Sequence, residues 1–93
     1  MIKSFRCPET ERIFAGMRSR KLPGDIQKVA FRKLLMIDAA THLDILREPP
    51  GNRLESLQGD RQGQHSIRIN DQCRICFVWQ GDGAHDVEIV DYH

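Results

Sequence analysis

His65-Ser-Ile-Arg-Ile-Asn-Asp-Gln-Cys-Arg-Ile-Cys-Phe-Val-Trp79 alternates apolar and polar side chains on both sides of Asn70-Asp71-Gln72. A period of two predicts a half-buried antiparallel hairpin and not a helix. In the register that preserves the alternation, Ile67, Ile69, Ile75, Phe77 and Trp79 share one face, which is therefore core. Arg68 and Arg74 then meet roughly opposite each other on the other face, where like charges disfavour strand pairing by roughly a few tenths of a kcal/mol. Two readings follow. The arginines are solvated, with stems covering apolar surface, or their planar, bidentate donors form a clamp for phosphate.

Working outward, the N-terminal half is helical in texture. Met1–Arg6 contains Ile2 and Phe5 and is expected to be an edge or added strand. Pro8 suits a first helical position, Glu9 and Glu11 favour a helix N-terminus, and Ile13, Phe14 and Met17 form a stripe, giving a helix over about 8–18. After Pro23-Gly24-Asp25, the apolar residues Ile26, Val29, Ala30, Leu34 and Ile37 recur at helical spacing and predict a helix over about 25–41. Lys28 and Arg32 lie four apart on it, so they are either a basic rail for RNA or its wet side. Leu43, Ile45 and Leu46 suggest a further helical turn, stopped at Glu48-Pro-Pro-Gly51.

From Asn52 onward the texture is β: Arg53–Leu57, the hairpin, a Gly81-Asp82-Gly83 turn, and His85–Asp91. Helices followed by strands define an α+β class, with an N-terminal strand and two helices packed on one face of an antiparallel sheet. The opposite face is expected to be an open trough lined by Arg68 and Arg74. Ninety-three residues, 40% of them hydrophobic, suit one domain over 1–93. No apolar run approaches the roughly 18 residues of a membrane span, and the first twelve residues lack a signal peptide's apolar centre. Three cysteines fit a reducing compartment. The chain therefore reads as cytoplasmic, with no membrane contact.

The net charge of +1 conceals a segregation. Residues 1–37 hold nine Lys/Arg against three acids, and the remainder holds five against ten. Such asymmetry points to nucleic acid or an acidic partner on the basic side, or to a solvated helical surface. Cys73-Arg-Ile-Cys76 spells C-x-x-C, but residues three apart on a strand point to opposite faces at roughly 10 Å, beyond disulfide reach. Zinc would need a turn there and two more regularly spaced ligands. The cysteines read as packing residues, so neither metal nor cofactor is expected. His42, His65 and His85 read as surface or satisfied polar residues.

The final strand ends in Asp91-Tyr92-His93, three groups capable of orienting or transferring protons, unless the tail is inert. If that strand joins the hairpin's sheet, its end approaches Arg68 and Arg74. An acid/base set beside arginines suits cleavage of RNA by its own 2′-hydroxyl, a nucleophile absent from DNA.

Leu57-Gln-Gly-Asp-Arg61, Ser66-Ile-Arg-Ile-Asn-Asp-Gln72, Arg74-Ile-Cys-Phe77 and Glu88-Ile-Val-Asp-Tyr-His93 resemble HigB-type toxins, including the GraT-like branch, of the RelE/ParE toxin superfamily. Met1-Ile-Lys-Ser-Phe5, Asp38-Ala-Ala-Thr41 and Pro49-Pro-Gly-Asn-Arg-Leu-Glu55 carry the same resemblance, which so covers essentially the whole chain. The resemblance implies that the antiparallel sheet is curved, and that the chain is a ribosome-dependent mRNA endoribonuclease of a type II toxin-antitoxin system. It implies neutralisation by a helix-turn-helix antitoxin of the HigA type, with operator DNA bound only through that complex. By position, His93 is then proton donor or acceptor, Tyr92 a proton-transfer or base-stacking residue, Asp91 an orienting partner and Arg74 the phosphate stabiliser. Gln58 stands where some members carry lysine, Glu55 where some carry histidine, and Cys73 where tryptophan is common. Arg53, Arg61 or Arg68 could supply the missing charge, Arg68 first because it shares Arg74's face. The RNA-binding expectation thus covers Arg68, Arg53, Arg61, Gln58, Lys28 and Arg32. The rivals are a non-catalytic ParE-like toxin acting on DNA gyrase and a degenerate, antitoxin-binding regulatory subunit.

Overall fold

In the computed structural model, which describes residues 1–91, the hairpin is the centre of a four-stranded antiparallel sheet. Its strands are β1 (Glu55–Ser56), β2 (His65–Arg68), β3 (Cys73–Gln80) and β4 (Gly83–Asp91), side by side in chain order. Ile67 faces Ile75, His65 faces Phe77 and Arg68 faces Arg74, so the register follows the alternation. Asn70 fixes the turn: its Oδ1 accepts the backbone N–H groups of Gln72 at 2.9 Å and Cys73 at 2.7 Å, a side-chain mimic of a backbone turn. The β3–β4 connection is the two-residue turn Gly81-Asp82, with Gly81 at φ 62°, where a Cβ is disfavoured.

Helix α1 (Pro8–Phe14) and helix α2 (Gly24–Ala39) cover one face of this sheet. Ile26, Ala30, Leu34 and Ile37 line one side of α2 and bury against Ile67, Ile75, Phe77 and Val87. Trp79 is half-buried at the rim of that core. Thr10 on α1 is buried, and its Oγ1 accepts the Ile89 N–H at 2.9 Å, tying the helix to β4.

Three elements differ from expectation, the first being β1, which keeps only Glu55–Ser56 of the expected Arg53–Leu57, with Arg53 at φ 46°. Helix α1 stops at Phe14 because the chain reverses at Gly16, φ 82°, where the N–H of Met17 returns to the Arg12 carbonyl. Met17 is left exposed. The N-terminal segment forms two parallel bridges, Ile2 with Ala84 and Phe5 with Val87, rather than a strand. A bulge in β4, where Asp86 takes φ 53°, interrupts the ladder between them. The Ser4 hydroxyl accepts the Asp86 N–H there, so the edge of β4 is still covered.

The outer sheet face is not an open trough. Ser66 and Cys76 on that face are fully buried, and the β1–β2 connection, residues 57–64, covers part of it, with Arg61 reaching across to Glu88 on β4. Among the described residues no helix is long and apolar enough to cross a membrane.

Candidate active site

What remains open on the outer face is a cleft of about 360 Å³ lined by Glu55, Leu57, Gln58, Asp60, Arg61 and Arg74. Arg74 is its fixed element. Its Nε donates to Ser66 Oγ at 2.7 Å, and its Nη2 donates to the Arg53 carbonyl at 2.6 Å and to the Ser66 carbonyl at 3.4 Å. The Arg74 side chain is only 14% exposed, and the nearest carboxylate, Glu55, stands at 3.9 Å. A guanidinium oriented by a hydroxyl and carbonyls is held without being neutralised by its clamp.

Arg61 reaches the same cleft from the covering segment, where its Nη1 donates to Glu88 Oε1 at 2.8 Å and to Gln64 Oε1 at 3.1 Å. Glu88 lies opposite Cys76, hence on Arg74's side of the sheet. The cleft and its immediate surroundings therefore combine two arginines with Glu55, Asp60 and Glu88.

The expected site residues are divided by this geometry. Arg74, Arg61 and Gln58 line the cleft, and Arg53 contributes its backbone carbonyl. Arg68 is paired with Arg74 through the backbone, but its side chain ion-pairs with Asp71 and lines a separate concavity with Arg32 and Lys33. The cation that joins Arg74 is Arg61, not Arg68, because the covering segment carries it over the sheet. Lys28 lines a third hollow beside Met17 and Phe31. Asp91 pairs with Cys73, whose side chain is in the core, so its carboxylate belongs to the helix-covered face, across the sheet from Arg74. Burial, then the charges of Asp91 and Asp25, push the Cys73 thiol upward. Tyr92 and His93 lie outside the described residues.

Asp60, Ser66 and Glu88 escaped the sequence reading. Ser66 is inconspicuous as a residue type. Glu88 did leave a signal, being a charge inside the apolar run Val87-Glu-Ile-Val90 with the same strand parity as Val90, opposite Arg74. Cys73 and Cys76 are buried on opposite faces and form no disulfide. Among the described residues no three His, Cys, Asp or Glu side chains are grouped to hold a metal.

Fold and cleft together define a class: two helices on an antiparallel sheet whose outer face presents a clamped arginine. The same architecture is seen in the YoeB-YefM complex from Staphylococcus aureus, with a TM-score of 0.62 at 17% identity over 100% of this chain and 98% of that one. This is the RelE-like toxin fold. The description "RelE-like toxin of type II toxin-antitoxin system HigB" matches residues 3–93, and the chain belongs to that family. It is 48% identical to Toxin HigB-1 of Vibrio cholerae over 82% of this chain and 79% of that protein. It is also 33% identical to Endoribonuclease HigB of Proteus vulgaris over the full length of both.

Proposed function

We propose that this toxin is an endoribonuclease that cuts messenger RNA on the ribosome and thereby stops translation. The observation that carries the reading is the Arg74 clamp, a cation oriented in an open cleft. Its support is the name of the Proteus vulgaris relative, Endoribonuclease HigB. The RNA 2′-hydroxyl attacks the adjacent phosphorus, and the bond to the 5′-oxygen of the next nucleotide breaks. Arg74 donates to the phosphorane oxygens as their charge grows, and Arg61 adds a second cation. His93 moves the proton from the 2′-hydroxyl to the departing 5′-oxygen and Tyr92 assists or stacks on a base, while Asp91, on the helix-covered face, acts only by positioning the end of β4 that carries them. The 93 residues act as one domain, in the cytoplasm where ribosomes are. A HigA-type helix-turn-helix antitoxin is the neutralising partner, and contact with operator DNA runs through that complex.

The test is incubation with translating ribosomes and sequencing of the RNA ends. The expected products carry a 2′,3′-cyclic phosphate or its hydrolysis product, and Arg74→Met or His93→Ala lowers single-turnover cleavage by about 10²–10⁴-fold. Intact messenger RNA alongside double-strand breaks in DNA would instead identify a gyrase-directed toxin.

A further inference from the structure

A second concavity, of about 370 Å³, opens between α2 and the turn end of the β2–β3 hairpin, away from the Arg74 cleft. Arg32 and Lys33 enter it from α2 and Arg68 from β2, so three cations converge from two elements. None of its lining residues carries a carboxylate. Asp71 does pair with Arg68, but its side chain is 94% exposed, and an ion pair that wet leaves much of the arginine's field uncompensated.

Lys33 is the better-fixed cation. Its ammonium donates to Asn52 Oδ1, while Asn52, itself fully buried, donates through Nδ2 to the carbonyls of Leu46 at 3.1 Å and Glu48 at 3.2 Å. A neutral amide orients the lysine without cancelling its charge. Burial first, and then the charges of Arg32 and Arg68, push its pKa down, which records both partial desolvation and like-charge crowding. Cations assembled against their own repulsion, around walls supplied by Val29, Met36 and Ile69, form a place where an anion lowers the energy.

We propose that this concavity is a second anion site, which takes a backbone phosphate of single-stranded RNA while another stretch of the same strand lies in the Arg74 cleft. Two guanidinium forks and an ammonium match phosphate oxygens, and the apolar walls suit the adjoining sugar. Three cations exceed what one carboxylate of an acidic peptide would use. The assignment rests on the ribonuclease reading and deepens it by adding a positioning site for the substrate.

The probe is a short fluorescent RNA with 2′-O-methyl groups, which cannot be cleaved, titrated by anisotropy across a salt series. Arg32→Gln and Arg68→Gln should each weaken binding and reduce the slope of log K against log salt by about 0.7, the value for one lost single-strand phosphate contact. Arg32→Lys should keep most of the slope. Lys21→Gln removes one charge from the exposed α1–α2 link and should leave the slope as in the wild type. An unchanged slope in the Arg32→Gln, Arg68→Gln double variant, or an equal loss in Lys21→Gln, overturns the site. Competition by an acidic peptide but not by RNA overturns it too. Cleavage of ribosome-bound mRNA is measured in parallel. A wild type that does not cut, with the slope still altered in the variants, removes the ribonuclease reading and leaves the phosphate site standing; cutting with unmoved slopes does the reverse.

Discussion

Ser66→Ala removes one oxygen atom from a position that solvent does not reach. That oxygen accepts the Arg74 Nε–H at 2.7 Å, while the remaining polar contacts of the guanidinium, to the Arg53 and Ser66 carbonyls and to Glu55, all run through Nη2. A hydrogen bond to a charged group contributes about 1.5–3 kcal/mol, and a buried donor left without its partner makes the loss real rather than nominal. With a central value of about 2 kcal/mol, the melting temperature should fall by roughly 8–16 °C for a domain of this size. Freed at Nε, the guanidinium can also turn away from the cleft, so single-turnover cleavage should drop by up to about tenfold for each 1.4 kcal/mol of lost orientation. Urea unfolding and ribosome-dependent cleavage read the two effects separately. The decisive comparison is a double-mutant cycle with Arg74→Met, in which the charged donor is gone and Ser66→Ala should cost under about 0.5 kcal/mol. Equal costs in both backgrounds would refute the clamp as the reason for Ser66's burial.

Asn52→Ala leaves the Leu46 and Glu48 carbonyls and the Lys33 ammonium without their amide. The expected loss is about 2–4 kcal/mol, read as a lower urea midpoint at unchanged m. His65 is pushed below its ordinary pKa of 6.5 by burial, so the folded chain binds fewer protons than the unfolded one as the medium is acidified. The stability linked to it is complete above the unfolded value and declines as pH falls below that value, by at most about 1.4 kcal/mol per pH unit. His65→Gln should flatten that part of the melting profile, and an unchanged slope would remove the residue from the account. Glu88→Gln keeps the shape of the Arg61 contact but removes its negative charge. Affinity for uncleavable RNA should rise by a factor of about 2–5, or about 0.5–1 kcal/mol, and a fall in affinity would show that Glu88 itself faces the substrate.

The parts of this fold that could be read from sequence are those in which a residue's periodicity is its burial. Ile67, Ile75 and Phe77 could be placed because a one-residue slip would expose all of them together, and Ile26, Ala30, Leu34 and Ile37 because one side of a helix must meet that face. Periodicity says nothing of how a short segment returns on itself. Leu57–Gln64 looks like loop in sequence, yet it lines the outer face and carries Arg61 across it to Glu88, which makes a cleft of the expected trough. Nor does backbone pairing fix where a long side chain goes. Arg68 and Arg74 are cross-strand partners, but Ser66 and the Arg53 carbonyl hold one of them in the cleft, while the other pairs with Asp71 and lines the concavity beside α2. For Asp91 the strand parity was available in the sequence and would have separated it from Arg74 once the β3–β4 register was known.

The balance of charge in the Arg74 cleft bears on how substrate is selected. Arg74 and Arg61 stand among Glu55, Asp60 and Glu88, so a single phosphate entering there meets attraction and repulsion together. It also competes with a partly buried Arg61–Glu88 pair, which salt screens only weakly. The concavity formed by Arg32, Lys33 and Arg68 has no such internal carboxylates. On the reading proposed above, a strand that engages both places converts the second contact into an intramolecular one, whereas a mononucleotide gains nothing from the pairing. A toxin built this way discriminates by length and presentation of the RNA more than by affinity at the reacting phosphate. On that reading, cleavage would favour a message held extended by another particle.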